Sequence, residues 1–172
     1  MKPALRRSIH GALGGVIGAA CMTVVRMLAH RNGVIRQMVP QAVEAWAHHR
    51  APITLPPLPS QRAIHHAADQ AMHLAYGATF GATYGLLLGK RRATPAIMGA
   101  VGLGVWALGS FMLLPALRIM RPEWRAKPQE IAVNVAAHLL YAAALGLVTD
   151  EFEAQTISQP LQYPLSIIGK TG

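Results

Sequence analysis

The chain has 172 residues, of which 52% are hydrophobic and only 13% charged, about half the charged share of a soluble domain, and this excludes an ordinary water-soluble fold. The formal net charge of +9 does not call for a nucleic-acid partner, because Lys and Arg gather at the ends of apolar runs, where anionic headgroups would lie, and no basic stripe with interleaved aromatics is present. The lone Cys21 sits inside an apolar run, so an intrachain disulfide is excluded as well.

Lys2, Arg6 and Arg7 precede the first apolar run in the manner of a signal peptide. The run is too long for such a peptide, and Arg26 stands where a small-residue cleavage site would be needed, which predicts a retained first span over about 7–29. Next comes GVIRQMVPQAVEAWAHH, either a short amphipathic helix on the interface or an irregular loop, followed by APITLPPLPS, whose prolines forbid a regular helix. A second span is expected over about 67–88, then a tight GKRRAT turn. A third covers 95–120, with Pro95 in its first turn and Pro115 kinking or ending it. RPEWRAKPQ connects it to a fourth span over about 130–149, with Trp124 placed as an interfacial anchor. Residues 151–172 are too polar and Pro-broken to span and form a tail outside the bilayer.

Since a span needs about 20 mostly apolar residues, the expected fold is an all-α integral membrane protein of four transmembrane helices arranged as two helical hairpins. The dense positive charge of the KRR turn and of the N-terminus places both chain ends on the cytoplasmic side.

HLAYGATFG in the second span has a near-copy, HLLYAAALG, in the fourth. The alignment pairs His73 with His138, Tyr76 with Tyr141 and Gly81 with Gly146, and sets Asp69 opposite Asn134, suggesting a parallel internal repeat. By i, i+4, i+7 spacing, Asp69, His73 and Tyr76 share one helix face, as do Asn134, His138 and Tyr141. Such groups are costly in hydrocarbon and turn inward, either to fix helix packing or to line a functional cleft. Arg26 is read either as a side chain that snorkels to the interface or as an intramembrane cation paired with Asp69. Together with Glu130 these residues make up a candidate intramembrane polar cluster.

Haem held between His73 and His138 is a further option, because imidazoles on neighbouring helices supply axial ligands. Otherwise no cofactor is expected. No metal site is expected either: His48-His49 and His65-His66 are adjacent pairs that point apart on a helix, and only His66, Asp69 and His73 are helix-spaced, with no Cys to join them. Gly11 with Gly15, Gly14 with Gly18, Gly77 with Gly81 and Gly81 with Gly85 are G-x-x-x-G pairs, which let helices pack backbone to backbone or dock a partner helix. No catalytic set of nucleophile, base and orienting group is present at recognisable spacing, and no phosphate loop, so an enzyme is not expected.

His73 with Tyr84, Pro115, Pro122, Trp124, Glu130 and His138 together resemble the YagU-like family of small, multi-pass bacterial inner-membrane proteins. Arg26 sits where that family tends to have a basic residue late in the first span. The sequence departs from the family in having Asn134 in place of a second acid and Ala137 before the histidine. The resemblance covers about two-thirds of the chain, and it implies residence in the bacterial inner membrane and an association with acid-stress physiology, without a reaction. Taken together, the leading expectation is a non-enzymatic accessory or assembly subunit, or a stress-related membrane component, with the lipid bilayer and a larger membrane complex or a homo-oligomer as partners. The alternative is a proton- or small-solute-handling bundle that uses the polar cluster.

Overall fold

The computed structural model describes residues 1–35, 39–50 and 59–158, and the described residues are helical apart from turns and short connections. In chain order the helices are α1 (Pro3–Arg31), α2 (Val39–Arg50), α3 (Pro59–Leu87), α4 (Pro95–Ala107), a π-helical segment (Leu108–Leu113), the single turn α5 (Leu114–Ala116), a 3-10 turn (Glu123–Arg125) and α6 (Pro128–Ser158). Among the described residues three helices are long and apolar enough to cross a membrane: Pro3–Arg31, the run Pro95–Ala116 and Pro128–Thr156. Helix α3 matches α1 at 29 residues but is not one of the three, because His73, Tyr76, Thr79, Thr83 and Tyr84 interrupt its apolar run.

Local chemistry sets the ends of these helices. Pro3, Pro95 and Pro128 open α1, α4 and α6, where a missing N–H costs nothing. The Thr94 hydroxyl caps α4 by accepting from Ile97 N at 3.3 Å. The α1 helix closes with Gly33 at φ +70°, its N–H on the His30 carbonyl and that of Val34 on the Ala29 carbonyl, a Schellman turn that glycine makes without steric cost. The turn after α5 has the same two hydrogen bonds, Arg118 to Pro115 and Ile119 to Leu114, but puts Arg118 at φ 56°. Pro115 ends the third run as expected: it follows the widened π-helical turns, and the helix stops one residue later, at Ala116.

Helix α1 lies at the centre, packed on α3 and α6, and α4 packs on the outer side of α6. Gly11 meets Gly81 and Gly15 meets Gly77, so α1 and α3 run antiparallel; Gly14 meets Leu145 and Gly18 meets Tyr141, so α1 and α6 do too. Gly102 against His138 and Met98 against Gly146 set α4 antiparallel to α6. Only 11% of the apolar stretch in Pro95–Ala116 is buried, against 39% in Pro3–Arg31 and 33% in Pro128–Thr156, so of these three runs it is the least covered by the bundle.

The core consists of Ala19, Met22, Tyr84, Met98, Ala137, Tyr141, Ala142 and Leu145. At one end of the bundle Glu153 holds Arg6 at 2.9 Å and His10 at 2.7 Å, His10 stacks on Phe152 at 5.4 Å, and the Asp150 carboxylate accepts the Ala93 N–H at 3.0 Å. These contacts continue α6 as a helix to Ser158, eight residues beyond Asp150, where no Gly or Pro interrupts it. Residues 159–172 of the expected tail, and the 51–58 part of APITLPPLPS, lie outside the described residues.

Candidate functional site

The amphipathic reading of the first connection becomes helix α2, with Pro40 in its first turn. Val39, Val43 and Trp46 recur at i, i+4 and i+7 and form one wall of a cavity of about 350 Å³. The same cavity is lined by Met22 and Arg26 of α1, by His73 and Tyr76 of α3, and by Gly109, Ser110 and Leu113 of the π-helical segment. His138 reaches the cavity from α6.

Arg26 is 6% exposed. It lies about 8 Å short of the α1 terminus at 1.5 Å per residue, and it is folded into the bundle instead of snorkelling out. His73, His138 and Glu123 all interact with it electrostatically, and among the described residues no carboxylate comes within 4 Å of it to form an ion pair. The side chain of Asp69, its expected partner, lies outside the described ones, as do those of His48, His65 and His66. His138 Nδ1 lies 2.7 Å from the Asn134 carbonyl, which leaves its Nε2 to face other groups.

The polar stripes therefore converge only in part. His73, Tyr76 and His138 reach the cavity together with Arg26. Tyr141 is 3% exposed and donates its hydroxyl to the Gly77 carbonyl at 2.8 Å, tying α6 to α3. Asn134 lies one turn before His138 and donates to Glu123 Oε1 at 2.6 Å. Glu130 does not join the cluster: it is the third residue of α6, and its carboxylate reaches back 3.4 Å to the Lys127 N–H, half of a capping box.

Glu123 takes the place that Glu130 was expected to fill. It is 8% exposed, and its second oxygen accepts the Trp106 indole N–H at 3.1 Å. Flanked by Pro122 and Trp124 in a charged connection, it looks like a solvated loop residue, and only the fold of the 3-10 turn carries it inward. The useful signal was Trp124 together with Trp106 and Phe111, whose stacked and edge-on rings fasten that turn to the bundle.

All four G-x-x-x-G pairs are used inside the chain. A Cβ on Gly11, Gly81 or Gly85 would run into a carbonyl oxygen of the facing helix, and one on Gly18 would lie 2.6 Å from the Tyr141 carbonyl. The α1 glycines, with Gly15, are covered by α3 and α6, and the α3 glycines, with Gly77, by α1, so these faces are not open to a partner helix. Among the described residues no group of three or more His, Cys, Asp or Glu is placed to hold a metal ion. No protein-family model, curated protein or solved structure matches the chain.

Proposed function

We propose that this membrane protein handles a small solute in the cavity between α1, α2, α3 and the π-helical segment, by binding and without chemistry on the solute. The observation that carries the reading is the convergence of a buried guanidinium and two imidazoles on one cavity in an otherwise apolar bundle. Groups of this kind are expensive in hydrocarbon, and a packing role does not require a cavity beside them. On this reading α3 is the fourth span, running antiparallel to α1. The α1–α3 and α4–α6 hairpins are the two copies of a repeat, since Gly11 against Gly81 corresponds to Met98 against Gly146. Residence in the bacterial inner membrane and kinship with the YagU-like family belong to the same proposal, resting on the quoted residues. Haem between His73 and His138 is a second proposal, favoured by the two imidazoles sharing one cavity; a reduced-minus-oxidised spectrum without a Soret band removes it.

Gentle purification of the tagged chain from its native membrane, followed by native mass spectrometry, tests the proposal. A bound small molecule is expected, and it is expected to be lost from Ser110→Phe, which fills the cavity. A molecule retained by a correctly folded Ser110→Phe, or no molecule at all, would overturn the solute reading. A stoichiometric larger complex with an empty cavity would return the chain to the accessory-subunit reading.

A further inference from the structure

The ionisable groups of the cavity wall, Arg26, His73, Tyr76 and His138, come from α1, α3 and α6, which also supply Thr23 and Gln70; the π-helical segment supplies Ser110 and Leu113, and the residues after it Leu114, Leu117 and Ile119. Among the described lining residues Arg26 is the one permanent charge and none is a carboxylate. Glu123 acts on Arg26 from outside the cavity wall, and both its oxygens already accept hydrogen bonds, from Trp106 and Asn134. A buried cation that opens onto a cavity is stabilised by an anion that hydrogen-bonds to it, and is left desolvated by a neutral guest.

On these grounds, and resting on the solute-binding reading above, we infer that the cavity takes an amphipath with an anionic head, a carboxylate or phosphate carrying an acyl chain. The head sits at Arg26 and His73; the chain runs along Leu113, Leu114 and Leu117. A volume of about 350 Å³ suits one short chain and is at the small end for ligand pockets. The head chemistry is common to a free fatty acid and to an anionic phospholipid.

The test is calorimetric titration of the full chain in phosphatidylcholine nanodiscs, with empty nanodiscs subtracted, using octanoate, dihexanoyl phosphatidic acid, octanol and octylamine. One of the two anions is expected to bind at least about tenfold more tightly than octanol, with octylamine weaker still, as hydrogen bonds to a charged group imply. Whichever anion binds more tightly identifies the source, fatty acid or phospholipid. Arg26→Gln is expected to bring the binding of both anions down to that of octanol measured on the same variant. Should that variant fail to fold, Arg26→Lys keeps the charge but loses the planar fork of donors and is expected to weaken anion binding relative to octanol by about threefold or more. Octanol or octylamine binding as tightly as both anions would overturn the ligand class and leave the solute site standing; binding of none of the four would overturn both.

Discussion

Along α1, the stretch from Arg6 to Ala19 and the stretch from Met22 to His30 both face into the bundle, yet they meet their neighbours in opposite ways. In the first, glycines on two adjacent faces let α3 and α6 approach until carbonyl oxygens occupy the space where a Cβ would be. The ends are tied by Glu153 to Arg6 and His10. In the second, an arginine and two histidines line an open volume, which α2, α3 and the π-helical segment line as well. Without a hydrophobic force to join helices inside lipid, close van der Waals packing at the glycines supplies association. That packing allows the far half to hold polar groups whose burial opposes folding. The difference teaches that stability and binding are separated along one helix.

The sharpest way to break this comparison is to put a side chain into the glycine half. Gly81→Leu places a branched side chain against the Gly11 carbonyl and the Gly15 Cα, both backbone atoms with nowhere to move. A loss of about 3 kcal/mol or more is expected, enough to prevent recovery of a monodisperse protein. Gly99→Ala and Gly104→Ala are the controls, since a Cβ there meets nothing within 4 Å; each is expected to hold stability or raise it, by up to about 1 kcal/mol, because alanine is the better helix former. Unfolding midpoints in mild detergent compare the three. Equal midpoints for Gly81→Leu and Gly99→Ala would remove the idea of a glycine-packed half.

Glu123→Ala comes next. It strips the acceptor from Trp106 Nε1 and Asn134 Nδ2 at once, and Asn134 already has a buried Oδ1 without a partner among the described residues. A cost of about 1–3 kcal/mol follows from leaving buried donors unmade. The same midpoint measurement reads it, and a change in Trp fluorescence is expected because Trp106 and Trp124 flank Phe111. Tyr141→Phe is smaller: it removes one hydroxyl that donates to the Gly77 carbonyl while keeping the ring in the core, for an expected loss of about 1 kcal/mol.

These residues also mark how far the sequence could be read. The glycine faces were legible because G-x-x-x-G is a local pattern whose spacing alone aligns the glycines on one helix side, and the structure uses every pair that was identified. The Val39, Val43, Trp46 face could be seen as amphipathic, but not that it would cover a cavity, since that depends on which helices stand opposite. Glu123 and Glu130 show the harder case. Both are acids beside a span; Glu130 stands nearer the apolar run and so looked the better candidate, whereas the 3-10 turn at Glu123–Arg125 and the ring stack at Phe111 decide which of them turns inward. Only tertiary packing carries that information. Arg26 was open between snorkelling and burial because a residue near a span end can do either, and the choice is made by α2 and α3 closing around it.

The smallest expected effect on stability is also the one that most directly tests the separation between the halves. Arg26→Met replaces a 6%-exposed guanidinium with an apolar side chain in a cavity already lined by Met22 and Met72. If Arg26 served the fold, its loss would cost as much as Glu123→Ala. If it serves the ligand, the variant sheds the desolvation of a buried charge, and stability is expected to stay the same or rise by about 1 kcal/mol, as when buried ions are exchanged for apolar residues. The two mutants therefore belong in one experiment: a midpoint for Arg26→Met at or above wild type, beside a lowered midpoint for Glu123→Ala, places the cost of folding on the Arg26 side of the bundle. A drop for Arg26→Met as large as that for Glu123→Ala would make the guanidinium a structural partner of the Glu123 node and would withdraw the division of labour along α1.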